Sequence, residues 1–257
     1  MVCEIQNGKS VESLFGNWQE SLIWSCLDGT MGHLYADTED EPASVMAILG
    51  DFCFFAGKPK EELLLYKPEW CQQDFIIMVP QTGEWADLIE KVYKEKAKKV
   101  KRYATKKEED IFDREKLRQI VSGIEEPFTL KKIDARLFKA CRAAHWSADL
   151  VSQYADYDMY QRLGIGVMIV KDGEIVAGAS SYSRYGKGIE IEIDTEESYR
   201  RRGLASICGA ELILECLDRG LYPSWDAQNK GSLDLAEKLG YHFAHTYQAY
   251  EIWGYKK

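Results

Sequence analysis

The spacing of apolar residues divides the chain into helices and strands. Val11, Leu14, Phe15, Trp18 and Leu22 recur at helical intervals, with Ser10 as the expected N-cap. Apolar runs at Ser44–Leu49 and Phe52–Phe55 flank Gly50-Asp51 and predict a hairpin. Phe75–Val79 is an apolar run of buried-strand length that ends at Pro80. Trp85, Leu88, Ile89 and Val92 share one helical face, and Leu117, Ile120 and Val121 mark a shorter helix capped by Asp113. Gly123 and Pro127 then interrupt the pattern, which places a domain boundary there and divides the chain into residues 1–125 and 126–257.

The second half follows a tighter rhythm. Phe128–Ile133 alternates as a strand, and Asp134 caps a helix through Leu137, Phe138 and Cys141. Strands at Val167–Val170 and Glu174–Tyr182 flank Lys171-Asp172-Gly173, where Asp-Gly is a strong hairpin signal. After the turn Tyr185–Gly188, the segment Ile189–Asp194 alternates strictly, with isoleucines on one face and carboxylates on the other. A helix over Gly203–Arg219 is apolar except for a stripe at Glu211, Glu215 and Asp218, so most of its circumference should be buried. A strand near Leu221–Trp225, a helix over Lys230–Leu239 and two strands within Tyr241–Trp253 complete the pattern. The fold class is α+β (mixed α/β): a central twisted, mostly antiparallel sheet, preceded by an N-terminal α/β domain.

Composition narrows the function. An apolar fraction of 46% with 29% charged residues fits a globular chain of 257 residues. The net charge of −9 disfavours nucleic acid or anionic membrane as a partner, and modestly favours cationic small molecules. The basic stretch from Lys91 to Lys107 reads as a solvated helix end and edge strand, because it contains Glu95 and lacks interleaved stacking residues. Seven cysteines without metal-ligand spacing indicate reduced thiols in a cytoplasmic protein. The start of the chain shows no secretory signal, and there is no apolar run of about 18 residues to span a membrane. His242 and His245 have no Cys or carboxylate cluster beside them, so no metal is expected.

The most informative segment is Thr195–Ala205, in which a strand end is followed by Tyr-Arg-Arg-Arg-Gly-Leu-Ala at the start of a buried helix. Small residues at Gly203 and Ala205 permit close approach to unpaired amides at the positive end of the helix, and the arginines add charge for a diphosphate. With its element order, this segment resembles the GNAT superfamily of acyl-CoA N-acyltransferases, whose Gln/Arg-x-x-Gly-x-Gly/Ala motif is filled by Arg200, Gly203 and Ala205. Asn229, Ser232, Leu235, Lys238 and Gly240-Tyr241 match a second element of that superfamily. Ile-Glu-Ile-Asp-Thr, Arg-Arg-Gly-Leu-Ala and Leu-Tyr-Pro-Ser-Trp-Asp-Ala-x-Asn are similar to its zwittermicin-resistance-type subgroup. The first half carries no such motif.

The resemblance implies acetyl-CoA as co-substrate. Its pantetheine arm is expected along Ile193 and Thr195, its diphosphate on the loop Arg200, Arg201, Arg202, Gly203, Leu204 and Ala205, and Asn229 on the arm. An amine acceptor must lose a proton before it attacks a thioester. Glu192 and Glu190 are the candidate bases, with Glu192 preferred for its nearness to Thr195, and Asp194 ranks behind them. Ala236 occupies the position of the superfamily's usual tyrosine acid, so either Tyr247 or Tyr250 replaces it from the last strands or no side-chain acid is needed. Asp226, Trp225 and His145 are candidate contacts for a small amine-bearing acceptor. The N-terminal half is expected to wall the acceptor pocket, to pair two chains as a homodimer, or to be a degenerate second copy of the fold. The rival reading is a catalytically silent acyl-CoA sensor or scaffold, favoured by Ala236 and opposed by the carboxylate row.

Overall fold

The computed structural model describes residues 1–255 and contains two compact units, Met1–Arg102 with the segment from Thr246 onward, and Tyr103–His245. The chain runs β1 (Cys3–Ile5), α1 (Glu12–Phe15), α2 (Ser21–Asp28), β2 (His33–Ala36), β3 (Ser44–Leu49), β4 (Phe52–Gly57), α3 (Glu61–Leu64), β5 (Phe75–Pro80), α4 (Gly83–Tyr93) and β6 (Ala97–Thr105). It continues through α5 (Arg114–Ser122), β7 (Thr129–Lys132), α6 (Ala135–Ala143), α7 (Tyr157–Leu163), β8 (Gly166–Lys171), β9 (Glu174–Tyr185) and β10 (Gly188–Thr195). Then follow α8 (Leu204–Asp218), β11 (Tyr222–Ser224), β12 (Asp226–Ala227), α9 (Lys230–Leu239) and β13 (Phe243–Trp253). β6 and β13 each pass from one unit into the other.

The first unit holds the strand order β1-β2-β3-β4-β5-β13-β6. Strands β1 to β4 pair antiparallel, β5 lies parallel to β4, and β13 is antiparallel to β5. Phe55, Ile76, Met78, Trp85 and Tyr250 fill its core. Two expectations change here. The predicted single helix from Val11 to Leu22 is broken at Gly16, whose φ of 60° is a conformation that glycine tolerates best. Glu20, not Ser10, caps the longer piece, its carboxylate accepting from the Leu22 N–H. Ser10 instead donates its hydroxyl to the Asn7 carbonyl. The closing segment also forms one strand, β13, where two were expected.

The second unit is built on a five-stranded sheet, β11-β10-β9-β8-β7, in which β10 and β11 are parallel and the other pairs antiparallel. Its element order repeats that of the first unit: a strand, two helices, three antiparallel strands, a helix, then a strand parallel to the third of them. The intervening helix differs most, with four residues in α3 and fifteen in α8. As the sequence pattern requires, α8 is buried over most of its surface, with Ile207, Leu212 and Ile213 packed against Val167, Ile169, Ile189 and Ile191. α5 packs on α8 and so belongs to this unit, which places the division at residues 102 and 103 rather than at 125 and 126. The anchors of α5 are Leu117 in the core and the ion pair Arg114–Asp218 at 2.5 Å. Among the described residues no helix is long and apolar enough to cross a membrane.

Truncating Ile213, which is fully buried in α8, to alanine is expected to cost about 2–5 kcal/mol in urea unfolding. A loss well under 1 kcal/mol would place α8 outside the core. A second expectation concerns pH. The Glu215 carboxyl is held below its ordinary 4.5, first by the hydrogen bond from Lys132 at 2.7 Å and also by Arg219, against the opposing effect of burial. A depressed folded value means stability that is present above 4.5 and is lost as pH falls through the folded value. Glu215→Gln is therefore expected to lose less stability than the parent protein between neutral and acidic pH, as compared by urea unfolding at each pH.

Candidate functional site

The site is built on the middle strand β10. Ile189 and Ile191 join the α8 core and Ile193 packs against it. Alternation sends Glu190, Glu192 and Asp194 to the opposite face. Their antiparallel partners on β9 are Ser183, Ser180 and Gly178, and one extra residue of β9, Tyr182, interrupts the register between Glu190 and Ile191. Such a bulge re-aims the neighbouring side chains. Glu190 is 5% exposed, whereas Glu192 and Asp194 are only partly buried. Asp194 Oδ1 accepts from the Thr195 N–H at 2.7 Å and stands 3.9 Å from Arg200. Burial pushes its carboxyl above the ordinary value, and the Asp149 charge adds to this, while the Thr195 N–H and Arg200 oppose it.

On its other edge β10 meets β11 only from Gly188 to Glu190, where Glu190 stands opposite Ser224. The chain then leaves, and β12 pairs with β6 at Asp226–Ala104 and Ala227–Tyr103. The sheet is therefore splayed beyond Glu190, and β11 does not continue along Ile191–Thr195. Thr195 Oγ1 is buried near the far end of that edge and has no hydrogen-bond partner among the described residues.

Beyond Thr195 the chain forms the loop that starts α8. Glu196 caps a short turn by accepting from Ser198 N–H, and Arg201 takes a φ of 63°. Gly203, with a φ of 79°, is the N-cap of α8 and offers no side chain to its amides. A Cβ built on Gly203 would meet no atom within 4 Å beyond its chain neighbours, so the space beside this residue is open. Uncapped amides at the positive end of a buried helix make an anion cradle. The three arginines divide their tasks. Arg200 turns back and donates from Nε to the Thr195 carbonyl at 3.2 Å, Arg202 lies 5.2 Å from the Tyr199 ring centre, and Arg201 is exposed. The residues present thus fit a diphosphate followed by a slender polar arm.

The remaining candidates are placed less uniformly. Asn229 caps α9, its Oδ1 accepting from Ser232 N–H at 3.0 Å, which commits that oxygen to the helix. Trp225, expected at the acceptor, is a core residue instead: it is 3% exposed, packs edge-on against Tyr241 and donates to Ser232 Oγ at 3.1 Å. Asp226 begins β12, and its backbone N–H donates to Glu190 Oε1 at 2.6 Å. His145 is exposed after α6. The expected acids Tyr247 and Tyr250 both lie in the first unit. Tyr250 is buried in its core and donates to Glu90, and burial pushes its phenol pKa up, so it is a structural residue rather than a poised acid. Tyr247 accepts from Arg102 Nε at 3.2 Å. Ala236 is fully buried. Sequence reasoning missed Thr105, whose hydroxyl donates to the Trp225 carbonyl at 2.6 Å; it sits 120 residues from its partner and carries no local signal. Among the described residues no group of three or more His, Cys, Asp or Glu is placed to hold a metal ion.

Comparison with known proteins agrees with this geometry. A GNAT acetyltransferase family profile matches residues 12–250. A GCN5-related N-acetyltransferase-like protein from Streptococcus suis 89/1591 is 48% identical, and its crystal structure gives a TM-score of 0.90 over 95% of this chain and 98% of that one. The uncharacterized N-acetyltransferase YdfB of Bacillus subtilis (strain 168) is 25% identical over 263 residues, 94% of each protein. A tandem GNAT protein from the clavulanic acid biosynthesis pathway is only 8% identical, yet gives a TM-score of 0.60 over 99% of this chain and 98% of its own, a likeness of fold. The matched residues include the first half, where the sequence shows no motif. The chain belongs, through both of its units, to the GNAT acetyltransferase family.

Proposed function

We propose that this protein transfers an acetyl group from acetyl-CoA to a primary amine of a small molecule by direct attack in a ternary complex. The observation that carries the reading is the splay of β10 from β11 leading to the open Gly203 cradle at the start of α8. Acetyl-CoA supplies an activated thioester carbonyl. The amides of Leu204 and Ala205 and the exposed Arg201 bind its diphosphate, and the β10 edge with Thr195 Oγ1 guides its arm. Glu192 takes the proton from the acceptor ammonium, directly or through water, since it is the partly exposed carboxylate on the face away from α8. No side-chain acid is assigned, because Tyr250 is buried and donates to Glu90, and Ala236 has no proton to give.

The acidic balance of the chain, with a net charge of −9, supports a cationic acceptor and disfavours nucleic acid and anionic membrane as partners, and its free cysteines support a location in the cytoplasm. Likeness to the zwittermicin-resistance-type subgroup supports a metabolite or antibiotic amine as acceptor. The repeated element order supports reading the first unit as a degenerate second copy of the fold. Its α3 has four residues and lacks the long helix start on which a diphosphate rests.

Two outcomes test the reading. Gly203→Asp places a carboxylate in the cradle and is expected to weaken acetyl-CoA binding at least about tenfold by calorimetry, through like-charge repulsion. Unchanged affinity in a folded variant would move the site elsewhere. Glu192→Gln is expected to lower turnover by about 10²–10⁴ with cofactor affinity nearly intact, and less at high pH, where more amine is already neutral. A loss of only a few-fold would remove Glu192 as the base.

A further inference from the structure

The Trp225–Asp226 peptide stands where the strand leaves β10 for β6, and neither of its hydrogen bonds resembles a regular ladder. Its carbonyl accepts from the Thr105 hydroxyl at 2.6 Å, and its N–H donates to Glu190 Oε1 at 2.6 Å. Thr105 and Glu190 are both more than nine-tenths buried. One peptide plane is thus gripped on both edges by side chains from two different strands. Short bonds of this kind, one of them to a carboxylate, are the strong ones.

We propose that Glu190 is a positioning residue that holds the sheet open. Up to Glu190–Ser224 the two strands share a parallel ladder. The Glu190 carboxylate captures the next N–H that a continuing ladder would direct at β10, while Thr105 takes the adjoining carbonyl and draws the chain to β6, where Asp226 pairs with Ala104. A peptide satisfied in this way has no incentive to close onto Ile191–Thr195. The gap proposed to receive the acyl-CoA arm therefore depends on a carboxylate that sequence alone presents as a base. The inference rests on that acyl-CoA reading for its consequence, but not for the clamp itself.

The test uses the full chain with three variants and two readouts, acetyl-CoA affinity by calorimetry and site-resolved amide exchange at Asp226 without ligand. Glu190→Gln keeps an acceptor oxygen within reach. It is expected to change affinity, kcat and Asp226 exchange by no more than about threefold. Glu190→Leu leaves the N–H without that acceptor, and Thr105→Val leaves the carbonyl without its donor. Both are expected to speed Asp226 exchange and to weaken acetyl-CoA binding at least about tenfold. A fall of about 10²–10⁴ in kcat for Glu190→Gln with binding intact would overturn the proposal and make Glu190 the base. Unchanged exchange and affinity in folded Glu190→Leu or Thr105→Val would overturn it equally. If the parent protein binds no acetyl-CoA, the acyl-CoA reading fails, and Asp226 exchange in the variants still decides the clamp.

Discussion

Past Glu190 and Ser224, strands β10 and β11 part, and the backbone groups that a closed sheet would join need other partners. That requirement shapes the second unit. A buried N–H or carbonyl left alone costs about as much as a lost hydrogen bond, so a sheet can open only where something else satisfies its edges. Here side chains do so at the Trp225–Asp226 peptide, and β6 takes over the pairing immediately afterwards. Trp225 then packs into the core against Tyr241 and reaches Ser232 on α9, so the point of departure is fixed from behind as well.

The buried helix α8 supplies the second half of the arrangement. Leu212, Ile213 and Cys216 bury it in the core it shares with Ile189 and Ile191 of β10. The connection is tight: Arg200 bonds back to the Thr195 carbonyl, Asp194 caps the Thr195 N–H, and Gly203 takes the left-handed turn into the helix. An anion cradle and a strand edge separated by this short loop suit a ligand with phosphates at one end and an extended arm at the other. That is the physical content of the family's motif. It explains why the small residues Gly203 and Ala205 are more diagnostic than the arginines, of which one, Arg200, donates back to the Thr195 carbonyl.

The second unit was legible because its signals are local. The Asp172-Gly173 turn, the alternation from Ile189 to Asp194 and the Asp134 cap each specify their element within a few residues, and each is where the pattern places it. The short helix from Arg114 was found for the same reason, but its allegiance was not, because packing on α8 leaves no trace in its own spacing. The break at Gly16 was missed since apolar spacing continued through it and only the backbone angle reveals the turn. Within the site, sequence separates Glu190 from Glu192 only by nearness to Thr195; burial and a long-range bond to Asp226 separate them in the structure. Trp225 and Tyr250 looked exposed to chemistry and are core residues, as large aromatics most often are. The repeated element order of the two units is visible only once pairing directions are known, since β4 and β5 carry no motif.

Family membership leaves catalysis itself as the claim at stake. The most direct measurement is thiol release from acetyl-CoA by the full chain in the presence of polyamines, aminoglycosides, amino acids and peptides, with the acetylated amine identified by mass spectrometry. The account predicts release that depends on at least one cationic small amine and is accompanied by its acetylated product. Saturable acetyl-CoA binding with no amine-dependent release across that panel would contradict it and identify the protein as a silent acyl-CoA-binding module.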